Sequence, residues 1–305
     1  MLELNEKLIR KGKAVGLPYV GSKKKISKKI VEIIKQNFGT DKTVYDVFGG
    51  GGAITAELMI NGMDVVYNDL DKTITDMFNR VLSQDREWVK TLIVSRDEFM
   101  AIKYKENKTV DDELKLLANS FGNNRKDYLY AKDISDIKYK LAVDILEKED
   151  VLSGYKKTET YQKYVNVHEE ELGFFGMVEK GRILQQLSRL EQFNRLTSIA
   201  DIEQSNLYPK TTNEDYRYFS DVKDSILYLD PPYENSKTSS YKSQIDYQEF
   251  YDWAVKMSKN NIVLLSSYEV SDNRFECVYE FKTARSTFQN GGPGSRHEKL
   301  FMVKS

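Results

Sequence analysis

The segment from Thr43 to Asp69 narrows the choice of fold more than any other part of this chain. Thr43-Val44-Tyr45-Asp46-Val47 has the β-branched and aromatic character of a short strand. Gly49-Gly50-Gly51-Gly52 then turns the chain, Ala53 to Ile60 reads as an apolar helix, and Asn61-Gly62 closes it. Asp64-Val65-Val66-Tyr67 is a second strand that ends at Asn68-Asp69. Strand, glycine turn, helix, strand is a βαβ unit of a parallel sheet. Upstream, Ser22 to Phe38 reads as a basic helix with Ile26, Ile30, Ile33 and Ile34 on one side and Gly39 as its stop. Strand character returns in Ser225-Ile226-Leu227-Tyr228-Leu229 and in Ile262 to Ser266, with a helix from Tyr247 to Lys259 between them. The C-terminus reads as a hairpin whose arms, Phe275 to Phe281 and Lys299 to Val303, flank Gly291-Gly292-Pro293-Gly294. The fold class is α/β.

The middle of the chain breaks this alternation. From residue 84 to 197 the patterns are mostly helical and rich in Lys and Tyr. Ile183, Leu184, Leu187, Leu190 and Phe193 mark one apolar helix face there. Asp46 and Asp230, each at the end of a strand, lie 184 positions apart (230 − 46). A βαβ unit takes roughly 30 residues, so about a hundred residues are inserted into the sheet. The expected organisation is a catalytic domain over residues 1–83 and 197–305 and a helical insert over 84–196 that recognises the substrate.

The 46 basic and 47 acidic residues nearly cancel, yet nine Lys/Arg and no acid lie between Lys7 and Val31. Arg125, Lys126 and Lys132 form a second basic group. A local basic patch on a neutral protein suits a polyanion, and a solvated helix face is the plain alternative. No apolar run approaches the roughly 20 residues of a membrane span. The N-terminus has no apolar signal region, so a soluble cytoplasmic protein, by default a monomer, is expected. Cys277 is the single cysteine and His168 and His297 are the two histidines, so no metal site is expected. Chemistry must come from carboxylates, hydroxyls, lysines or a borrowed cofactor.

Strand ends carry the candidates. The turn Phe48-Gly49-Gly50-Gly51-Gly52 lets backbone approach a ligand closely. Neither GxGxxG nor GxxxxGK[ST] is present, which counts against dinucleotides and nucleoside triphosphates. Asp46 suits an ammonium, and Asp69, ending the next strand, suits ribose hydroxyls. A nucleoside carrying an amino acid, without phosphates, meets both, and S-adenosylmethionine is such a molecule with a reactive sulfonium. The later strand ends in Asp230-Pro231-Pro232-Tyr233. Tyr233 offers a stacking face, Asp230 accepts from an exocyclic amine, and the Pro231 carbonyl is a second acceptor in a rigid Pro231-Pro232 turn. Alone, such a turn is often only a strand end; the joint order of these elements is the stronger signal.

With these residues in place the chain resembles the Dam-like (D12 class) DNA adenine-N6 methyltransferases over nearly its whole length. The resemblance rests on Tyr19-Val20-Gly21-Ser22-Lys23, on Asp46 to Ala53, on Tyr67-Asn68-Asp69 and on Asp230 to Tyr233. It extends to Ser120-Phe121-Gly122-Asn123-Asn124, Asn213-Glu214-Asp215-Tyr216, Ser266-Ser267-Tyr268-Glu269 and Glu298-Lys299-Leu300-Phe301. The motif order resembles the alpha group of these enzymes. Gly21-Ser22 departs from the Gly-Gly of many relatives. The resemblance implies a Rossmann-like class I S-adenosylmethionine-dependent methyltransferase sheet with a helical target-recognition insert. It further implies that Tyr19, Lys23, Asp46, Phe48, Gly49, Gly50, Gly51, Asp69 and Asp230 line the cofactor pocket, with Asp215 near the cofactor's adenine. The implied activity is methyl transfer from S-adenosylmethionine to the N6 amine of adenine in a short, specific sequence of double-stranded DNA, with the base flipped out of the stack.

Asn123, Asn124, Arg125 and Lys126 have the chemistry of base readout, Asn for adenine edges and Arg for guanine. A plain turn with phosphate contacts is the competing reading. The loop Arg285 to Asn290 is placed near DNA or is an ordinary connection, and Tyr128 and Tyr130 either stack on DNA or pack inside. Three rivals remain: RNA (N6-adenine) or protein methylation, whose enzymes usually have short gaps between the two motifs; DNA N4-cytosine methylation, where a serine commonly replaces the acid; and a catalytically dead DNA-binding module, against which the intact Asp230 to Tyr233 motif argues.

Overall fold

Strand β4 (Ile226–Leu229) is apolar at every position because it is buried on both faces. It is the centre of a seven-stranded sheet of order β3-β2-β1-β4-β5-β7-β6. The other strands are β1 (Val44–Asp46), β2 (Val65–Asn68), β3 (Lys210–Thr212), β5 (Ile262–Ser267), β6 (Phe275–Arg285) and β7 (His297–Val303). From β3 to β5 all pairings are parallel, and β7 runs antiparallel between β5 and β6. The computed structural model describes residues 1–19, 21–164, 187–202, 208–234, 245–285 and 297–304. Val20, His168, Ile183, Leu184 and residues 286–294, used in the sequence reading, lie outside the described residues.

The chain divides into two compact units. The first comprises Met1–Gly16, Ser22–Thr75 and Ser205–Ser305, the second Leu17–Gly21 and Asp76–Gln204. In the first unit, α1 (Ser27–Phe38) buries Ile30, Ile33 and Ile34. Helix α2 (Ala53–Ile60) is buried from Ala53 to Met59, as a helix apolar nearly all round must be. Its single charge, Glu57, is neutralised by Arg10 through two 2.8 Å hydrogen bonds. Tyr247–Met257 forms a further helix, opened by Asp246, whose side chain accepts from the Gln248 and Glu249 amides. Its Phe250, Tyr251 and Trp253 pack with Leu227, Leu229, Val263 and Leu265 of the sheet. Each such buried side chain contributes about 1.5–3 kcal/mol.

Three details differ from the sequence reading. The basic helix is broken: Lys23–Lys25 is a 3₁₀ turn, and Ile26, at φ −124°, separates it from α1. The basic N-terminal run is largely bonded to its own chain, Arg10 to Glu57, Lys24 to the Gly16 carbonyl, Lys28 to the Gly12 carbonyl and Lys29 to Glu6. Strand β3, three residues long and alongside β2, had no hydrophobic signature to announce it.

The second unit is helical in its described parts. α3 (Lys72–Leu82) carries the chain into it, followed by α4 (Arg86–Lys90), α5 (Arg96–Lys103), α6 (Val110–Ala118), α7 (Ser135–Glu149) and α8 (Ser188–Ala200); Tyr247–Met257 is then α9. Asp85, Ser95 and Thr109 cap α4, α5 and α6. Leu17–Gly21, read from the sequence as part of the catalytic domain, groups with this unit.

Candidate active site

β1 leads to neighbours on opposite sides, β2 and β4. At such a switch point the connections leave in opposite directions and open a crevice at the carboxyl ends of the strands. The sequence places Asp46, Asp69 and Asp230 at those ends, and the fold brings them together. Asp46 Oδ2 accepts from the Thr55 amide at 3.1 Å and its hydroxyl at 2.7 Å. Asp46 Oδ1 is buried without a hydrogen-bond partner. Burial pushes the Asp46 carboxyl up to about 7; the Thr55 hydrogen bonds oppose this, and the charges of Asp230 and Asp69 add to it.

The glycine turn between β1 and α2 is shaped by β2. A Cβ on Gly49 would lie 2.5 Å from the Tyr67 ring, so no larger residue fits. Gly52 opens α2 at φ 69°, a left-handed conformation that suits glycine. Tyr67 donates to the Gly50 carbonyl at 2.6 Å, and Asp69 Oδ2 accepts from the Gly50 amide at 2.8 Å. Asp69 thus braces the turn, and its Oδ1 accepts from the Asp71 amide at 2.8 Å.

Beside the turn a cavity of about 150 Å³ is lined by Val47, Phe48, Asn68, Asp215, Tyr216 and Ile245, among others. A cavity of that size takes one aromatic ring. Asn68 sets its wall: its amide donates to the Val47 and Glu214 carbonyls and its oxygen accepts from the Glu214 amide. Asp215 lines the cavity, but its carboxylate is held by Arg217 at 2.7 Å, and that hydrogen bond keeps its pKa below the usual range.

At the end of β4, Lys23 Nζ lies 2.6 Å from Asp230 Oδ1 and donates to Tyr233 Oη at 2.7 Å. The structure therefore groups Lys23 with Asp230 and Tyr233. Burial raises the Asp230 pKa; Lys23 opposes this and Glu298 adds to it. Tyr233 keeps its proton, its pKa driven far up by burial and then by Asp230 and Glu298. Pro231 is buried, and the Pro232 carbonyl accepts from Tyr247, which fixes the turn against α9.

The family model described as D12 class N6 adenine-specific DNA methyltransferase matches residues 19–257. The chain belongs to this family. It is an enzyme that methylates the N6 amine of adenine in DNA. No curated protein matches the chain. In this methyltransferase, no described helix is long and apolar enough to cross a membrane, and no described cluster of His, Cys, Asp or Glu is arranged to hold a metal.

In the second unit, Asn123 to Lys126 form a tight turn after α6 in which Asn123 and Arg125 have φ of 57° and 58°. Asn124 Oδ1 accepts from the Lys126 and Asp127 amides, the turn role that was the plain alternative. Asn123 Oδ1 accepts from Gln192, and Arg125 pairs with Glu113 at 3.1 Å. Lys126 is exposed, as is the neighbouring Phe121. Tyr128 and Tyr130 are buried with Val94, Phe99, Ile102 and Leu116, so they pack inside and are not DNA-stacking groups. Tyr19 is half-buried in this unit.

Sequence reasoning passed over Tyr67, Asn68, Tyr216, Tyr247, Ser266, Tyr268 and Glu298 as site residues. Several sat inside motifs already singled out; what was missing was which strand ends meet, since each is polar or aromatic beside a stretch of core.

Proposed function

We propose that S-adenosylmethionine is the methyl donor and binds at the carboxyl ends of β1 and β2, and that the substrate is duplex DNA with the target adenine turned out of the stack. The donor supplies an electrophilic methyl group on a sulfonium. Support for its site comes from Asp46: an orphaned buried carboxylate oxygen, flanked by the charges of Asp230 and Asp69, suits a cationic ligand. Asp69 and the Gly50 turn suit ribose, and the ring-sized cavity at Phe48 and Tyr216 suits adenine. Phe48, Gly49, Gly50 and Gly51 bring backbone close, and Asp215 closes the cavity wall.

The observation that carries the catalytic reading is Asp230, immediately after β4 and close enough to Asp46 for their charges to couple. Asp230 accepts a hydrogen bond from the N6 amine and the Pro231 carbonyl accepts one from its second N–H, which turns the nitrogen lone pair toward the methyl group. Tyr233 stacks on the base. The new N–C bond forms as the S–C bond breaks, and the nitrogen then loses a proton to the surrounding carboxylates or water. Negative charge held beside the nitrogen stabilises its developing positive charge. The second unit recognises the target, with Lys126 and the exposed Phe121 presented at its turn and Asn123, Asn124 and Arg125 shaping it.

The test is methyl transfer from labelled S-adenosylmethionine to unmethylated genomic DNA, followed by single-molecule sequencing. N6-methyladenine in one short context is expected. Transfer to RNA in place of DNA would keep the catalytic reading and overturn the duplex-DNA reading.

A further inference from the structure

Tyr233 is tethered to a carboxylate that the mechanism above does not use. Glu298 is 4% exposed and lies near the start of β7. Because β7 is antiparallel to β5, with Ser267 opposite Lys299, its first residues lie at the carboxyl ends of the parallel strands. Both carboxylate oxygens of Glu298 lie 2.8 Å from Tyr233 Oη. Ser266 Oγ donates to Oε1 at 2.9 Å, and Lys23 Nζ is 3.6 Å away.

The direction of these bonds is forced. A carboxylate only accepts and an ammonium only donates, so the Tyr233 hydroxyl donates its hydrogen bond to Glu298 and accepts one from Lys23. Lys23 also holds Asp230 Oδ1. Lys23 Nζ is 4.9 Å from the Tyr233 ring centroid but 2.7 Å from Oη, which places it at the hydroxyl rim and not above the ring centre. The Tyr268 ring, 4.5 Å away centroid to centroid, packs against the Tyr233 ring.

We propose that Glu298 is a positioning residue for methyl transfer. It holds the Tyr233 ring by its hydroxyl and, through that hydroxyl, keeps Lys23 on Asp230 Oδ1, leaving Oδ2 to accept from the amine. The inference rests on the roles given to Asp230 and Tyr233 above.

The experiment compares full-length wild type with E298A, E298Q, Y233F, Y233F/E298A and D230A. It measures single-turnover transfer to unmethylated genomic DNA and S-adenosylmethionine affinity by calorimetry. Misplacing a reacting group by an ångström costs about 100-fold, so E298A should slow transfer by about 30- to 100-fold with affinity within about threefold. E298Q keeps a carbonyl acceptor for the Tyr233 hydroxyl and should return to within about fivefold of wild type. Y233F and E298A remove two ends of one bond, so the double variant should be no more than about threefold slower than the slower single one. Should E298A not fold, Glu298→Leu keeps the volume without the acceptor and takes its place. Near-normal transfer by E298A, losses that multiply in the double variant, or an E298Q as slow as E298A would each overturn the inference. D230A separates the two levels: if it retains transfer, the catalytic reading itself fails; if it is inactive while the Glu298 variants miss these marks, only the role of Glu298 fails.

Discussion

At the scale of single residues, the proposed chemistry depends on carboxylates in different surroundings. Asp46 is buried with one oxygen on Thr55 and the other without a hydrogen-bond partner, Asp69 is bonded to backbone, and Asp230 is paired with Lys23. Asp230→Ala is expected to abolish transfer while DNA binding, read by gel shift, stays within a few-fold. Retained activity would remove Asp230 from the mechanism. Asp46 has a pH signature. Its carboxyl, raised from 3.8 to about 7, binds a proton more tightly in the folded state. Its contribution to stability is therefore full below the ordinary carboxylate pKa and is lost as pH rises through about 7. Asp46→Asn keeps an acceptor for Thr55 and should be more stable than wild type at pH 8 by urea denaturation. A cationic ligand favours the ionised form, so S-adenosylmethionine should bind up to about tenfold more tightly per pH unit as pH rises toward 7 in wild type, and show no such dependence in D46N. In the second unit, Arg125→Ala should lower stability through loss of the Glu113 pair, whereas Lys126→Ala should weaken DNA binding across sequences and lower its salt dependence.

At the scale of elements, the glycine turn and β2 form one object. Gly49→Ala would drive a methyl into the fully buried Tyr67 ring, and overpacking of this kind costs about 1–3 kcal/mol. Chemical denaturation should show that loss, and calorimetry a larger loss of cofactor affinity than of stability. The turn, α2 and both flanking strands were legible because period and punctuation were local: β-branched residues, four glycines, an apolar helix and Asn61-Gly62. The break at Ile26 was not, because lysines and isoleucines run through Lys23–Lys25 and α1 alike, with no Gly or Pro to mark it, and the contact of Lys23 with Asp230 is 207 residues away in sequence (230 − 23). Tyr128 and Tyr130 were ambiguous for the converse reason. A tyrosine suits a base or a core equally, and only packing decides.

At the scale of the whole molecule, one sheet is assembled from chain segments far apart in sequence, and a ligand bound where we propose, at the switch point, would join them. At 100 times its Kd, S-adenosylmethionine should add about 2.7 kcal/mol of stability, seen as a rise in thermal midpoint, and D46N should remove most of it. The sequence by itself determined the α/β class, the order of the motifs, the 184-residue gap and the acids at strand ends, because each is a property of a short run or of a count along the chain. Only the tertiary structure decided that Lys23 meets Asp230 and Tyr233, that Asn68 pins the loop before Asp215, and that Glu298 arrives beside Tyr233. Those pairs lie tens to hundreds of residues apart, and their meeting depends on strand order and on the reversed direction of β7, which no local pattern encodes.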